Sequence, residues 1–247
     1  MSGTDDLRRY LSRLLGWANT SAIENALRSL ELAREHRAQL VLCGSGDLVP
    51  IAYGLHRRAL GPDTPFIVCD PRRGNTPATV RAPANYVDAD AALAAAAGGS
   101  LCVRRRRLPG HFTALAERLR ASREVQYICL DESSLQWLVR PGPIAIPSLV
   151  ERRHDIRRIV DECMLDAVSE LAWASPLTEQ DRAWLIASAS SSSFSELEKA
   201  IIRLIALRSS DNLSQAAARL GMAAVSLSRW KARRRLPAPP MATASAA

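Results

Sequence analysis

Short apolar runs alternate with helix-like segments over the first 150 residues of the chain. The apolar runs predict buried strands at Leu40–Cys43, Phe66–Cys69, Ser100–Val103 and Val125–Leu130. A further short run, Ile144–Ile146, lies between two prolines and predicts an edge strand. Strands that alternate with helices are typical of a parallel sheet built from βαβ units. The pattern therefore predicts an α/β fold with a parallel sheet flanked by helices.

The segments between these strands have the spacing of apolar residues that amphipathic helices show. The predicted helices of this part are Leu7–Trp17, Ile23–His36, Val49–Leu60, Ala89–Ala97 and His111–Ala121. Residues 71–83 are rich in Pro, Gly and Thr and are predicted to form a loop.

After Pro147 the pattern is helical only. Helices are predicted at Glu151–Trp173, Thr178–Ala189 and Glu196–Arg208, followed by two short helices before residue 236. The predicted organisation is therefore an α/β core over residues 1–150, a helical lid over 151–195 and a DNA-binding domain over 196–236. Residues 237–247 are rich in Pro and Ala and are predicted to be a disordered tail. The helix Glu196–Arg208 is predicted to belong to both the lid and the DNA-binding domain.

The segment from Asn212 to Lys231 has the spacing of a helix-turn-helix. Gly221 lies where the turn needs a positive φ, and the small Ala217 lets the two helices approach closely. Apolar side chains at the right spacing fill the space between the helices: Leu220, Met222, Leu227 and Trp230. The second helix would enter the major groove by its N-terminal end. Ala223 falls at the N-cap of that helix, where alanine offers no capping group.

The second helix also supplies the predicted DNA contacts. The residues predicted to face base edges are Ala224, Val225, Ser226, Ser228 and Arg229. Arg229 is the candidate for a bidentate contact to guanine. The residues predicted to contact phosphates are Lys231, Arg233, Arg234 and Arg235.

The charge distribution supports the same interpretation. The chain has a net charge of +8, and after residue 200 it carries eight Lys/Arg residues against the single acid Asp211. Almost all of the net charge thus lies in the predicted DNA-binding domain, as expected for a partner such as double-stranded DNA.

Other classes of function find little support in the sequence. The five cysteines form no C-x-x-C pair, and the four histidines are scattered, so we expect buried thiols and no metal site. No apolar run approaches the roughly 18 residues of a membrane span, and no signal peptide is evident. We therefore expect a cytoplasmic protein without a membrane partner.

These residues resemble the sigma-54-dependent transcriptional activators, or bacterial enhancer-binding proteins. The segments Leu197–Arg203 and Asn212–Lys231 are similar to the Fis-type helix-turn-helix of that family. Ile146–Ile156 (IPSLVERRHDI) resembles the family's LPPLRERREDI, and Phe194–Glu198 resembles its lid motif NVREL. The resemblance implies an AAA+-like core with a helical lid, and it implies RNA polymerase or another regulator as a partner.

The chain departs from the family at the positions that carry ATP hydrolysis. The Walker A loop, which needs a lysine for the phosphates, reads GSGDLVP here, and its degenerate pocket consists of Gly44, Ser45, Gly46 and Asp47. Arg104 and Arg105 replace the two Walker B acids, Ser195 replaces the sensor II arginine, and no counterpart of the sigma-54-contacting loop is found. Arg140 falls near the place of an arginine finger. The departures predict a catalytically inactive AAA+-like domain that is not an enzyme and has no resident cofactor.

Two alternative functions, and the roles of two segments, stay open at this point. One is a divergent sigma-54-dependent activator that still binds or hydrolyses ATP, for which Asp131 and Glu132 at the end of an apolar run have the form of a Walker B site. Another is a pocket that holds a nucleotide or small signal without hydrolysis. For the apolar Glu196–Arg208 helix, a homodimer interface and burial within the chain are equally consistent with the pattern. The run Arg104–Arg107 fits a second phosphate-contacting patch, a docking site for an acidic partner or a solvated loop.

Overall fold

The structure is a computed structural model that describes residues 3–79, 82–133, 142–171, 177–189 and 192–237. The chain divides into two compact units, Met1–Ser148 and Leu149–Ala247.

The first unit is built on a six-stranded sheet with the order β3-β2-β4-β5-β1-β6. Every strand pairs in parallel with its neighbours. The strands are β1 (Leu40–Cys43), β2 (Phe66–Cys69), β3 (Ala84–Tyr86), β4 (Ser100–Arg104), β5 (Gln126–Asp131) and β6 (Ile144–Ala145). The predicted parallel α/β fold is thus confirmed, and the proline-flanked strand does lie at an edge. Since the strands are parallel, the loops after β1, β2, β4 and β5 meet at one edge of the sheet.

Helices flank this sheet. They are α1 (Gly3–Leu15), α2 (Thr20–His36), α3 (Val49–Leu60), α4 (Ala89–Ala95) and α5 (Phe112–Ala121), with a single 3-10 turn at Arg105–Arg107. On one face, Val41, Val103 and Cys129 share a buried core with Leu115 and Leu119 of α5. On the other face, the Tyr53 and His56 rings of α3 pack against Phe66, with ring centroids 5.3 and 5.1 Å away.

The second unit is entirely helical in its described part. A 3-10 turn at Arg153–Asp155 leads into α6 (Ile156–Leu171), α7 (Glu179–Ala189), α8 (Phe194–Arg208), α9 (Leu213–Arg219) and α10 (Ala224–Ala232). Helix α8 packs against α6, α7 and α9 and buries Leu197, Ile201, Leu204 and Ile205. Its N-terminus is capped by Ser193, whose hydroxyl accepts a hydrogen bond from the Glu196 amide at 3.3 Å.

A buried ion pair joins α8 to α7. The Arg208 guanidinium lies 2.7 Å from the Asp181 carboxylate, and their side chains are 9% and 1% exposed. Asp181 also accepts hydrogen bonds from the amide and hydroxyl of Thr178 at 3.2 and 2.9 Å. The same Arg208 nitrogen, Nη2, also donates to the carbonyl of Pro237 at 2.7 Å. This pair fixes the end of α8, where the chain turns into α9.

Three details differ from the sequence predictions. Strand β3 was not predicted, because it is only three residues long and follows a Pro/Gly-rich loop. Helix α6 begins at Ile156 rather than Glu151, because Arg152 binds the Asp155 carboxylate at 2.8 Å and closes a tight turn first. Helix α1 begins at Gly3, before the predicted Leu7. The predicted helix end at Trp173 and the tail beyond Pro237 lie outside the described residues.

Candidate functional site

The loop after β1 has the backbone of a tight turn but the wrong charge for phosphate. Gly44 donates its amide to the carbonyl of Asp131 at 3.1 Å, and a Cβ there would lie 3.0 Å from the carbonyl oxygen of Ile146. Gly46 has a φ of +83°. The Asp47 carboxylate then accepts a hydrogen bond from the Val49 amide at 3.2 Å, in the first turn of α3. Amides at a helix N-terminus are those that bind phosphate in phosphate-binding loops. Here the protein's own carboxylate occupies one of them.

The four arginines after β4 form an ion-pair network at the same edge. Arg104 lies 2.8 Å from Asp47 and 3.3 Å from Asp70, and Arg107 lies 3.1 Å from Asp70. Asp70 is fully buried and also accepts a hydrogen bond from the Arg72 amide at 3.1 Å. Sequence reasoning did not select Asp70, although its position directly after β2 indicates this edge of the sheet.

The two acids that end β5 are also paired with this run. Arg105 lies 2.8 Å from Asp131, and Arg106 lies 2.7 Å from Glu132. Both carboxylates that have the form of a Walker B site therefore face a guanidinium. All four arginines of the run Arg104–Arg107 thus bind acids of the same unit, while Arg105 and Arg106 stay exposed to solvent.

A cavity of about 450 Å³ lies among these groups. Its described lining includes the predicted pocket residues Gly44, Gly46 and Asp47, with the exposed Ser45 between them. It contains five arginines and three acids: Arg72, Arg73, Arg104, Arg106, Arg107, Asp47, Asp131 and Glu132. The lining of this cavity thus carries an excess of positive charge, and most of its arginines already bind carboxylates.

Two further positions were implied by the family resemblance. Arg140 lies outside the described residues. Ser195 is 2% exposed. Within the described ranges, no group of three or more His, Cys, Asp or Glu side chains is arranged to hold a metal ion. In the same ranges, none of the helices combines the length and apolar character needed to cross a bilayer.

The cysteines are buried and free, as the sequence predicts. Burial raises the pKa of Cys43, Cys69 and Cys129 to about 11, and it raises that of Cys102 further. Because the thiolate is the reactive form, these thiols are inert at neutral pH.

The second candidate site is formed by α9 and α10. Asn212 caps α9 through its side-chain oxygen, which accepts a hydrogen bond from the Gln215 amide at 2.9 Å. Gly221 has a φ of +63°, which confirms the predicted turn. Ala216 and Ala217 are buried, and Leu220, Leu227 and Trp230 fill the space between the helices. Ala223 is the N-cap of α10 and makes no side-chain capping bond, also as predicted.

Half of the basic residues near the C-terminus are used inside this unit. Arg203 and Arg234 lie over the Trp230 ring, at 5.4 and 5.2 Å from its centroid, and Trp184 packs edge-on at 6.4 Å. Arg234 also lies 3.9 Å from Glu196. Arg208 binds Asp181, and Arg219 donates to the Ser209 carbonyl at 2.7 Å. Arg234 therefore differs from the other residues predicted to contact phosphates, since it is half-buried against an aromatic ring.

The remaining basic residues lie on an exposed face of α10 and the turn after it. The exposed members of the predicted DNA contacts are Val225, Ser226, Ser228, Arg229, Lys231, Arg233 and Arg235, with Ala224 half-buried. Among the described residues, no carboxylate lies within ion-pair distance of Arg229, Lys231, Arg233 or Arg235. The structure thus brings these exposed residues together on α10 and the turn after it, and we call them the basic face.

Comparison with known proteins gives structural similarity without sequence similarity. No protein-family model and no curated protein matches the chain. The crystal structure of NtrX from Brucella abortus in complex with ATP matches with a TM-score of 0.50 at 16% identity, covering 92% of this chain and 71% of that one. The NtrX structure in complex with ADP matches with a TM-score of 0.49 at 17% identity, covering 85% of this chain. This chain covers only 54% of the NtrX chain in the ADP complex. At this level of identity the likeness concerns the fold, and the chain has an AAA+-like α/β fold followed by a helical region.

Proposed function

We propose that the protein is a sequence-specific DNA-binding transcription regulator whose AAA+-like unit does not hydrolyse ATP. The observation that carries the proposal is the basic face of α10. Leu227 and Trp230 are buried and pack the helix against its own unit, while Arg229 and its neighbours on the helix are exposed. The exposed cations of this helix are bound by no acid among the described residues, and a basic turn follows it. Such a helix suits the major groove, where its side chains reach the bases and the turn reaches the phosphates.

The lack of ATPase activity is supported by the corner at the carboxyl ends of the strands. The chain has only two lysines, Lys199 and Lys231, and both belong to the second unit. Asp47 occupies an amide that phosphate would need, and arginines hold Asp131 and Glu132 where Mg²⁺ would need free carboxylates. NtrX is structurally similar and was crystallised with ATP, but its likeness to this chain is one of fold.

A second candidate is favoured by the arginine excess of the 450 Å³ cavity. Such a pocket suits an anion such as a nucleotide that is held without hydrolysis. Isothermal titration with ATP and ADP separates this candidate from a simple regulator. Mg²⁺-dependent hydrolysis that is lost on Asp131→Asn would instead support a divergent activator and overturn the proposal.

The test of DNA binding is selection of genomic fragments by the purified full-length protein, followed by titration of salt. We expect a short enriched motif. Arg229→Ala should cost about 1–3 kcal/mol at one base position and relax specificity there. Arg34→Ala removes the same charge from an exposed position of α2 and serves as the control. Equal, sequence-blind binding by all three proteins would contradict the proposal.

Two partners besides DNA belong to this proposal. One is a second copy of the chain, and the other is RNA polymerase or another regulator. Helix α8 buries Ile201, Leu204 and Ile205 within its own unit, while Ile202 and Leu207 stay partly exposed. Most of the apolar residues of α8 that favoured a dimer interface are therefore buried within the chain. Light scattering at tens of micromolar and the symmetry of the enriched motif test the dimer together, since a dimer predicts two half-sites about one helical turn apart.

A further inference from the structure

A second and larger cavity lies in the first unit, beside α5. Its volume is about 760 Å³, which falls in the range of roughly 300–1,000 Å³ typical of small-molecule sites. Its described lining comes from the end of α2, from α5 and from β5. It is distinct from the loop after β1, since neither Gly44 nor Asp47 lines it.

The floor of this cavity is apolar and partly aromatic. Phe112, Ala116 and Leu119 follow the helical spacing that puts them on one side of α5. Tyr127 and Cys129 are alternate residues of β5 and so face the same side of the sheet. The Phe112 and Tyr127 rings lie 6.4 Å apart. Burial and the Cys129 thiol raise the pKa of Tyr127, so its phenol stays protonated.

The rim of the cavity is cationic. Four arginines line it, Arg37, Arg105, Arg120 and Arg123, and Glu35 is the single acid among the described lining residues. Arg105 is held by Asp131. An apolar floor beneath several guanidinium groups favours an amphipathic anion over a cation or a neutral molecule of the same shape.

Arg37 is the best evidence that the rim is built for a ligand. It ends α2 with a φ of +51°, in the left-handed region that usually takes Gly or Asn. One of its nitrogens donates to the Gly98 carbonyl at 3.4 Å, while the other, Nη1, is buried and finds no acceptor among the described atoms. A buried donor without an acceptor is costly, and an anion that reaches Arg37 from the rim would supply the missing acceptor.

We propose that this cavity binds a small organic anion with an apolar body, such as an aromatic or acyl carboxylate. The apolar body lies on Phe112, Ala116 and Tyr127, and the anionic group binds the guanidinium groups of Arg37 and Arg120. The site belongs to the first unit and does not depend on DNA binding.

The test uses two fluorescent probes with the same aromatic body. Anilinonaphthalene sulfonate carries an anionic group, and phenylnaphthylamine does not. We expect saturable binding of the sulfonate at one site per chain, weakened about tenfold by Arg120→Gln and by Arg37→Asn, which tolerates the left-handed backbone. Ala116→Trp, which fills the cavity floor, should abolish binding of both probes. Arg118→Gln is the matched control, because Arg118 pairs with Asp90 and does not line the cavity.

The outcomes separate cleanly. Loss with Arg120→Gln and Arg37→Asn but not with Arg118→Gln supports the anion site, provided that circular dichroism and melting show each variant to be folded. Equal sulfonate binding by all the arginine variants would remove the anionic part of the proposal. Unchanged binding in folded Ala116→Trp, or no saturable binding of either probe, would overturn the site. None of these results bears on selection of DNA by α10.

Discussion

Arginine has opposite roles in two regions of this molecule. In the first unit, Arg104 to Arg107 all bind acids of the same sheet edge. On α10 and the turn after it, Arg229, Arg233 and Arg235 have no acid in reach among the described residues. A run of arginines therefore does not identify a binding surface by itself. The acids that the fold brings near it decide whether the charge serves the structure or a ligand.

The largest expected effect comes from a paired arginine inside the helical unit. Asp181→Ala removes the carboxylate that balances the buried Arg208 charge, which should cost about 3–5 kcal/mol in the free energy of unfolding. Urea unfolding followed by circular dichroism measures this. The control is Asp161→Ala, which removes an exposed partner of Arg182 and should cost about 1 kcal/mol or less. Equal losses in the two variants would show that Arg208 behaves as a surface residue.

The next effect sharpens the comparison between the two regions directly. Arg104→Met removes hydrogen bonds to Asp47 and to the buried Asp70, so we expect a loss of about 2 kcal/mol in stability. Arg229→Met makes the same chemical change on the basic face and should alter stability by about 0.5 kcal/mol at most, while it weakens DNA binding. Urea unfolding and DNA titration on both variants give the four measurements. The comparison fails if the two variants lose stability equally.

A buried histidine, His56, should make the stability of the first unit depend on pH. His56 bonds Ser100 at 2.8 Å and the Thr64 carbonyl at 3.0 Å, and burial, with a smaller contribution from Arg37, lowers its pKa below 6.5. Its unfolded form binds a proton first as pH falls. Stability should therefore be full above about pH 6.5 and decline below it, by about 1.4 kcal/mol per pH unit at most. His56→Gln should remove this contribution to the slope, whereas His36→Gln at an exposed position should leave it in place.

The smallest effect concerns the N-terminus of α10. Ala223→Ser supplies the missing N-cap of α10 and should add about 1 kcal/mol to stability. The control is Ala218→Ser at an exposed position within α9, where serine should cost about 0.5 kcal/mol. Thermal unfolding distinguishes the two signs. A loss in both variants would mean that α10 is not limited by its N-terminus.

Strands β1 and β2 were predictable because all of their residues are buried, so that each reads as an unbroken apolar run. Strands β1 and β2 match the predicted bounds, Leu40–Cys43 and Phe66–Cys69. The turn at Gly221 was predictable for a similar reason, since its conformation depends on one residue. In each case the structure depends on residues that are adjacent in the sequence.

The partners of the arginine run were not predictable, because the contacts are distant in sequence. Arg104 and Asp47 are 57 residues apart, and Arg105 and Asp131 are 26 apart. Only the parallel order of the strands brings them to one edge. The same limit applies to the cavity beside α5, whose lining runs from Glu35 to Cys129.

Helix α8 has a consequence for how DNA specificity could change over time. It is continuous from Phe194 to Arg208 and packs against α6, α7 and α9, so the last helices share their core with the helices before them. Exchange of a whole DNA-binding module from another protein would leave Ile201 and Leu204 without their neighbours. Under the proposed function, new operators must instead be acquired by substitution at the few exposed positions of α10. The regulator would then diversify residue by residue rather than by shuffling of domains.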